Sequence, residues 1–256
     1  MSYDEIIIIS IAVIGSSVIK NGVGVGAGIF LLPLLALVLP PKLALGLGAP
    51  AMLISDIVGV KNYWGAWDRK ELKLLLPSAA VGVLFGCFLI KVMPDSVFKQ
   101  CVGIFALLFS SLHIFKMIKA RYFDLREVNR QSGKKPDQVG VTTMLFGFLG
   151  GVASTVAHAG GLILSVYLIQ KRVSSRVFVG TMVLFLGINN VLKVIAYWNI
   201  GIITGDTLLL IGALSPAIII GGLAGNELNK RIPQDLFRLI VLALIFCIGM
   251  RIQLTV

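Results

Sequence analysis

Charge is what this chain has least of. Only 14% of its residues are charged, against about a quarter in water-soluble domains, so an ordinary solvated surface is excluded. Acids are scarcer still, twelve against twenty-three lysines and arginines. There are two histidines and three cysteines, and Cys87, Cys101 and Cys247 each sit inside an apolar run without CxxC spacing. Neither a disulfide framework nor a metal site follows from that pattern, and no cofactor is expected. Short alternating apolar and polar segments are lacking, which argues against a transmembrane β-barrel. No basic-aromatic surface motif accompanies the net charge of +11, so no nucleic-acid partner is expected. No long polar segment offers room for a soluble nucleotide-hydrolysing domain within this sequence, so none is expected. The opening MSYDEIIII carries acids where a cleavable leader carries lysines, and it is expected to stay as part of the first membrane segment.

What is present is grease in long blocks. The chain is 57% hydrophobic with a mean hydropathy of +0.95. Apolar segments fall at about 6–39, 43–63, 72–93, 95–118, 140–170, 176–198, 207–228 and 234–254. Runs of this length predict an all-α polytopic membrane protein, in the cell inner membrane and in contact with the lipid bilayer. One long polar interval, with Arg121, Arg126, Arg130, Lys134 and Lys135, divides the chain. The predicted units are an N-terminal membrane repeat over 1–118, a basic cytoplasmic loop over 119–139 and a C-terminal membrane repeat over 140–256.

The halves repeat. Pro77, Gly82, Gly86, Pro94 and Phe98 recur as Pro216, Gly221, Gly225, Pro233 and Phe237, each at one offset of 139. Duplicated halves are a common transporter construction. Segments 6–39 and 140–170 are too long for one crossing, and each contains a break. Treating both as hairpins that return to their own face gathers Arg69, Lys70, the 116–135 cluster, Lys171, Arg172, Arg176, Lys230 and Arg231 on one side. The opposite side keeps little beyond Lys42, Lys91 and Arg251. By the positive-inside rule the basic side is cytoplasmic. The predicted architecture is therefore two inverted structural repeats, each a broken-helix hairpin plus three transmembrane helices, with both termini outside.

The first break reads NGVGVGAGIFLLPLL, with Gly22, Gly24, Gly26 and Gly28 on alternate positions. Its partner is Ala159-Gly160-Gly161. Open backbone is tolerated at membrane depth only where it lines a cavity or is buried in protein. Half-helices starting near Gly28 and Gly161 aim free N–H groups and positive dipole ends at mid-membrane, where two of them would cradle a small anion. Close helix packing is the competing use of such glycines. The spacing does not match GxGxxG or a P-loop, and no strand precedes it, so a nucleotide site is not expected.

Polar residues within the apolar segments complete the candidate site. Lys20 and Asn21 precede the first break; Ser154, Thr155 and His158 precede the second. Asp56 lies in the second segment, and Asn189, Asn190 and Lys193 in the sixth. The expected substrate-binding set is Lys20, Asn21, Gly24, Gly26, Gly28, Ser154, His158, Gly160, Gly161, Asn189, Asn190 and Lys193. Asp56 and His158 are candidates for ion coupling. Lys193 has a second reading, snorkelling toward an aromatic belt of Trp64, Trp67, Tyr197 and Trp198. Ser154 and His158, at i and i+4, leave open an intramembrane hydrolase, although no carboxylate nearby is available to orient the histidine.

GVGVGAGIFLLPLL, the later AHAGGLILSVYLIQKRVSSR and the PxxxxGxxxG pair resemble the TauE/SafE sulfite-exporter family over nearly the whole chain. The resemblance implies not an enzyme but a secondary transporter of sulfur-containing anions such as sulfite or organosulfonates. It implies a small anionic substrate and export by alternating access. Family members usually continue the second glycine tip with prolines; here it reads Gly160-Gly161-Leu162-Ile163. A carrier or channel for another small anion or solute is the alternative reading. The oligomeric state is left open, a homodimer among the choices.

Overall fold

The computed structural model describes residues 3–23, 26–122, 139–171, 173–231 and 234–254, with the side chains of 4, 22–23, 116, 118–122, 139, 229–231 and 234–238 set aside. Most of the basic loop, 123–138, and Gly24 lie outside the described residues, as do Pro233 and the Phe237 side chain. The described chain is helical throughout, without a strand.

In order the helices are α1 (Tyr3–Val23), α2 (Ala27–Ala36), α3 (Pro41–Asn62), α4 (Arg69–Val92), α5 (Asp95–Tyr122), α6 (Val139–Ala157), α7 (Gly160–Gln170), α8 (Ser175–Asn199), α9 (Gly205–Arg231) and α10 (Gln234–Leu254). Among the described residues six are long and apolar enough to cross a membrane by length and composition, namely α3, α4, α5, α6, α8 and α9. Local chemistry sets their ends. Pro41 opens α3 at its first turn, where a missing N–H costs nothing. Asp68 caps α4 by accepting from the N–H groups of Lys70 and Glu71 at 2.9 and 3.2 Å.

Both long broken segments fold back as hairpins. A Cβ on Gly15 of α1 would touch the Phe30 ring of α2 at 3.4 Å. Thr143, near the start of α6, reaches the Tyr167 hydroxyl of α7 at 2.5 Å. The hairpins are rooted at opposite ends of the bundle. At one end α2 runs into the start of α3, whose Lys42 pairs with Asp95 at the start of α5 at 3.0 Å. At the other end Lys171, closing α7, pairs with Glu71 at the start of α4 at 2.8 Å.

Helix partners come mostly from opposite halves. α4 packs on α6, α1 on α9, α3 on α8 and α5 on α10. Backbones touch where side chains vanish: a Cβ on Gly82 would collide with the Phe148 carbonyl of α6, and one on Gly225 with the Val18 carbonyl of α1. A buried aliphatic core surrounds α2, from Ile9 and Leu31 through Leu45 to Ile245. The outer faces of α4, α5 and α9 carry exposed Leu84, Phe88, Leu108, Leu209 and Ile220, as lipid contact requires.

Candidate functional site

The two hairpin tips meet each other. A Cβ on Gly28 would strike the His158 backbone, so the first tip rests directly against the second. Each tip turns through one left-handed residue, Gly26 at φ 97° and His158 at φ 50°. The halves align there as Gly26-Ala27-Gly28 and His158-Ala159-Gly160. Only the first tip uses glycine for the turn. The second places an imidazole at the position a bulky side chain seldom occupies, and such strain tends to gather at functional sites.

Space for that imidazole comes from α3. A Cβ on Gly48 would lie 2.5 Å from His158 Nε2. Lys193 Nζ stands 2.9 Å from Nδ1 and donates at 3.1 Å to the Ser154 carbonyl. An ammonium has no lone pair, so Nδ1 accepts and the ring proton is assigned to Nε2. Nε2 is buried and has no hydrogen-bond partner among the described residues.

A second charged set closes the other side. Lys20 pairs with Asp56 at 2.6 Å and donates to the Met52 carbonyl at 3.0 Å. Asn190 donates to the remaining Asp56 oxygen at 2.6 Å. Asp56 is 3% exposed and Lys193 1%, so neither reaches bulk water. Two lysines against one carboxylate leave the site with a cationic bias.

One cavity joins these groups. Lys20, Ser154, His158, Asn190 and Lys193 line it together with the tip backbone at Gly26–Ile29, Ala159, Gly161 and Leu162. Neither α2 nor α7 has a side-chain cap at its N-terminus. Apart from Leu162 N–H, which donates to the Ala159 carbonyl at 3.0 Å, their first-turn N–H groups are the orphan donors every helix begins with, and residues of both first turns line the cavity.

Not every expected site residue faces it. Asn21 turns away and donates to Ser17 O and Ser55 Oγ, both at 3.0 Å. Gly160 is held against Gly150 and Ser154. Asn189 donates to Phe185 O at 2.9 Å, while its buried Oδ1 has no partner. Asp56 stands behind Lys20 and Asn190 rather than on the wall. Lys193 does not snorkel. Tyr197 is no belt residue either: it is wholly buried and its hydroxyl donates to the Thr155 carbonyl at 2.5 Å. Trp198, one residue on and about 100° around the helix, does face outward. Ser154 and His158 share the cavity, but their link is the backbone bond from His158 N–H to the Ser154 carbonyl at 3.1 Å; His158 Nδ1 is engaged by Lys193, and among the described residues no side-chain hydrogen bond joins hydroxyl to imidazole.

Sequence reading missed a second buried polar cluster. Glu71 accepts from the Tyr167 hydroxyl, from Thr143 Oγ1 at 3.3 Å and from Lys171. Lys171 also lies 5.1 Å from the centre of the Tyr167 ring. Burial works against the Lys171 ammonium, but its hydrogen bonds to Glu71 and Tyr167 prevail and hold its pKa above the ordinary value.

A family model described as Sulfite exporter TauE/SafE matches residues 7–252 of the chain. No curated protein and no solved structure matches.

Proposed function

The chain belongs to the TauE/SafE sulfite exporter family, a family of membrane transporters, and from that premise we propose that it carries a small sulfur oxyanion, sulfite or an organosulfonate, across the cell inner membrane. The observation that carries this reading is the meeting of two uncapped half-helices at one cavity beside Lys20 and Lys193. The orphan N–H groups and dipole ends favour negative charge, and charge-assisted hydrogen bonds from the lysines add to it.

Each polar group has a part. The tip N–H groups and Lys193 take the oxyanion's oxygens, and His158 positions Lys193 through Nδ1. Lys20 is shared between the anion and Asp56. When the anion draws Lys20 away, Asp56 loses its counter-charge, and this buried carboxylate is the group we assign to coupling export to an ion. The two hairpins, rooted at opposite ends and meeting at the centre, fit inverted repeats that expose the site to one face at a time. The basic end near Lys171 is the cytoplasmic one on the same reading.

Purified protein in proteoliposomes tests this. Sulfite loaded inside should leave at a protein-dependent rate, and external sulfonates should compete. Lys20→Ala and Gly28→Leu should each abolish most of the flux while leaving the protein monodisperse. Wild-type flux unaffected by sulfur anions, or undiminished flux in both variants, would overturn the proposal.

A further inference from the structure

The hairpins are seated very differently. α2 is buried at nine of its ten residues and packs on α1, α3, α5 and α10. α7 packs on α6 and α8, and leaves Val166 and Ile169 exposed at 52% and 67%. What ties the far end of α7 to α4 is the cluster around Glu71: Tyr167 and Lys171 from α7, joined by Thr143 from α6. Asp68, three residues before Glu71, fixes that end of α4 to α8 through its N–H and Thr181 Oγ1 at 2.9 Å.

The first half has no such cluster. Laying the left-handed tip residues Gly26 and His158 over one another places Tyr167 opposite Leu35, Lys171 opposite Leu39 and Thr143 opposite the lipid-facing Ile11. The α4–α9 offset of 139 places Glu71 opposite Leu210. Leu35 and Leu39 belong to the buried aliphatic core and Leu210 packs against it. Apart from the solvent-accessible Lys42–Asp95 pair, the α2 root is therefore sealed by apolar packing, which is close-fitting and insensitive to charge. The other is sealed by a carboxylate with three donors, which one change of partner can release.

We infer that Glu71, Tyr167 and Lys171 form the latch of a cytoplasmic gate, with the α7 hairpin as the moving part and the α2 hairpin as the fixed wall. This rests on the alternating-access reading above. Glu71 acts on transport by position and touches no substrate. On this inference the closed latch is what keeps the cavity shut off from the Lys171 end. When α7 swings from α4, the cavity opens to that end while the apolar seal around α2 holds.

Cysteine accessibility tests the gate without requiring transport. In a background with Cys87, Cys101 and Cys247 replaced by serine, Leu162→Cys places a thiol on the cavity wall. A second protein bearing Lys73→Cys, exposed near the start of α4, identifies the face. A membrane-impermeant maleimide is added to either side of oriented vesicles. Glu71→Gln should raise Leu162→Cys labelling from the Lys73 face about tenfold or more, the scale of one charged hydrogen bond. Tyr167→Phe, which removes one hydroxyl and keeps the ring, should shift it in the same direction by less. Labelling from the opposite face should not change. Unaltered rates in both folded variants, or a rise from the opposite face, would overturn the latch. Calorimetric binding of sulfite to the unmodified protein separates the two readings: binding with unaltered rates removes the gate alone, and absent binding with raised rates removes the anion site alone.

Discussion

A lysine with 1% of its surface exposed is sustained by what touches it, and Lys193 touches a backbone carbonyl and a neutral imidazole but no carboxylate that would satisfy its charge. On the proposed reading an arriving anion supplies that missing partner. Lys193→Met should therefore weaken sulfite binding by about ten- to a hundredfold, the range of one hydrogen bond to a charged group; titration calorimetry reads it, and an unchanged Kd would remove Lys193 from the site. Asp56 is the converse case. Asp56→Asn leaves Lys20 without its counter-charge and should lower stability by about 3–5 kcal/mol, as breaking a buried pair does. A melting curve no lower than wild type would show that the pair is not formed. The tip glycines separate strain from space. Nothing lies within 4 Å of a Cβ on Gly26, so Gly26→Ala meets only the left-handed backbone cost of about 1–2 kcal/mol. Gly28→Ala drives a methyl into His158 and should abolish transport even where the fold survives.

Between elements, the contrast of α2 with α7 is measurable in the resting protein. Amides of α2 should exchange with deuterium more slowly than those of α7 in lipid nanodiscs, because α2 is enclosed on all sides and α7 is not. Equal protection would mean that the hairpins move alike. The elements themselves were largely legible in the sequence. Apolar runs set off by Pro40, Pro41, Pro94 and the polar turns gave α3, α4, α5, α8, α9 and α10 within a few residues, and the glycine tips gave the two breaks. What could not be read was partnership. Lys20 finds Asp56 thirty-six residues away on another helix of its own half, and Glu71 finds Tyr167 ninety-six away because helices from opposite halves interleave. Glu71 sits in the first turn of α4, where an acid is favoured by the helix dipole alone and so points to no partner. The left-handed turn at His158 was hidden because its space is provided by Gly28 and Gly48, on other helices. Tyr197 was misplaced because adjacent residues on a helix face different surroundings.

At the scale of the whole molecule the two hairpins return to their own ends and meet head to head. The inverted arrangement predicts that cysteines within 119–138 label from the cytoplasm and that one replacing exposed Gly205, at the other end of the bundle, labels from outside. Both labelling from one face would reject it. The proposed function puts the cargo where the hairpins meet, and that position tests the account most directly. Selenite is the selenium analogue of sulfite, and its anomalous scattering locates it without ambiguity. The account predicts one selenium peak between the starts of α2 and α7, within hydrogen-bond reach of the Gly28 and Gly161 N–H groups and of Lys193 Nζ. A protein that transports selenite yet shows its peak elsewhere, with the two helix starts unoccupied, would contradict it.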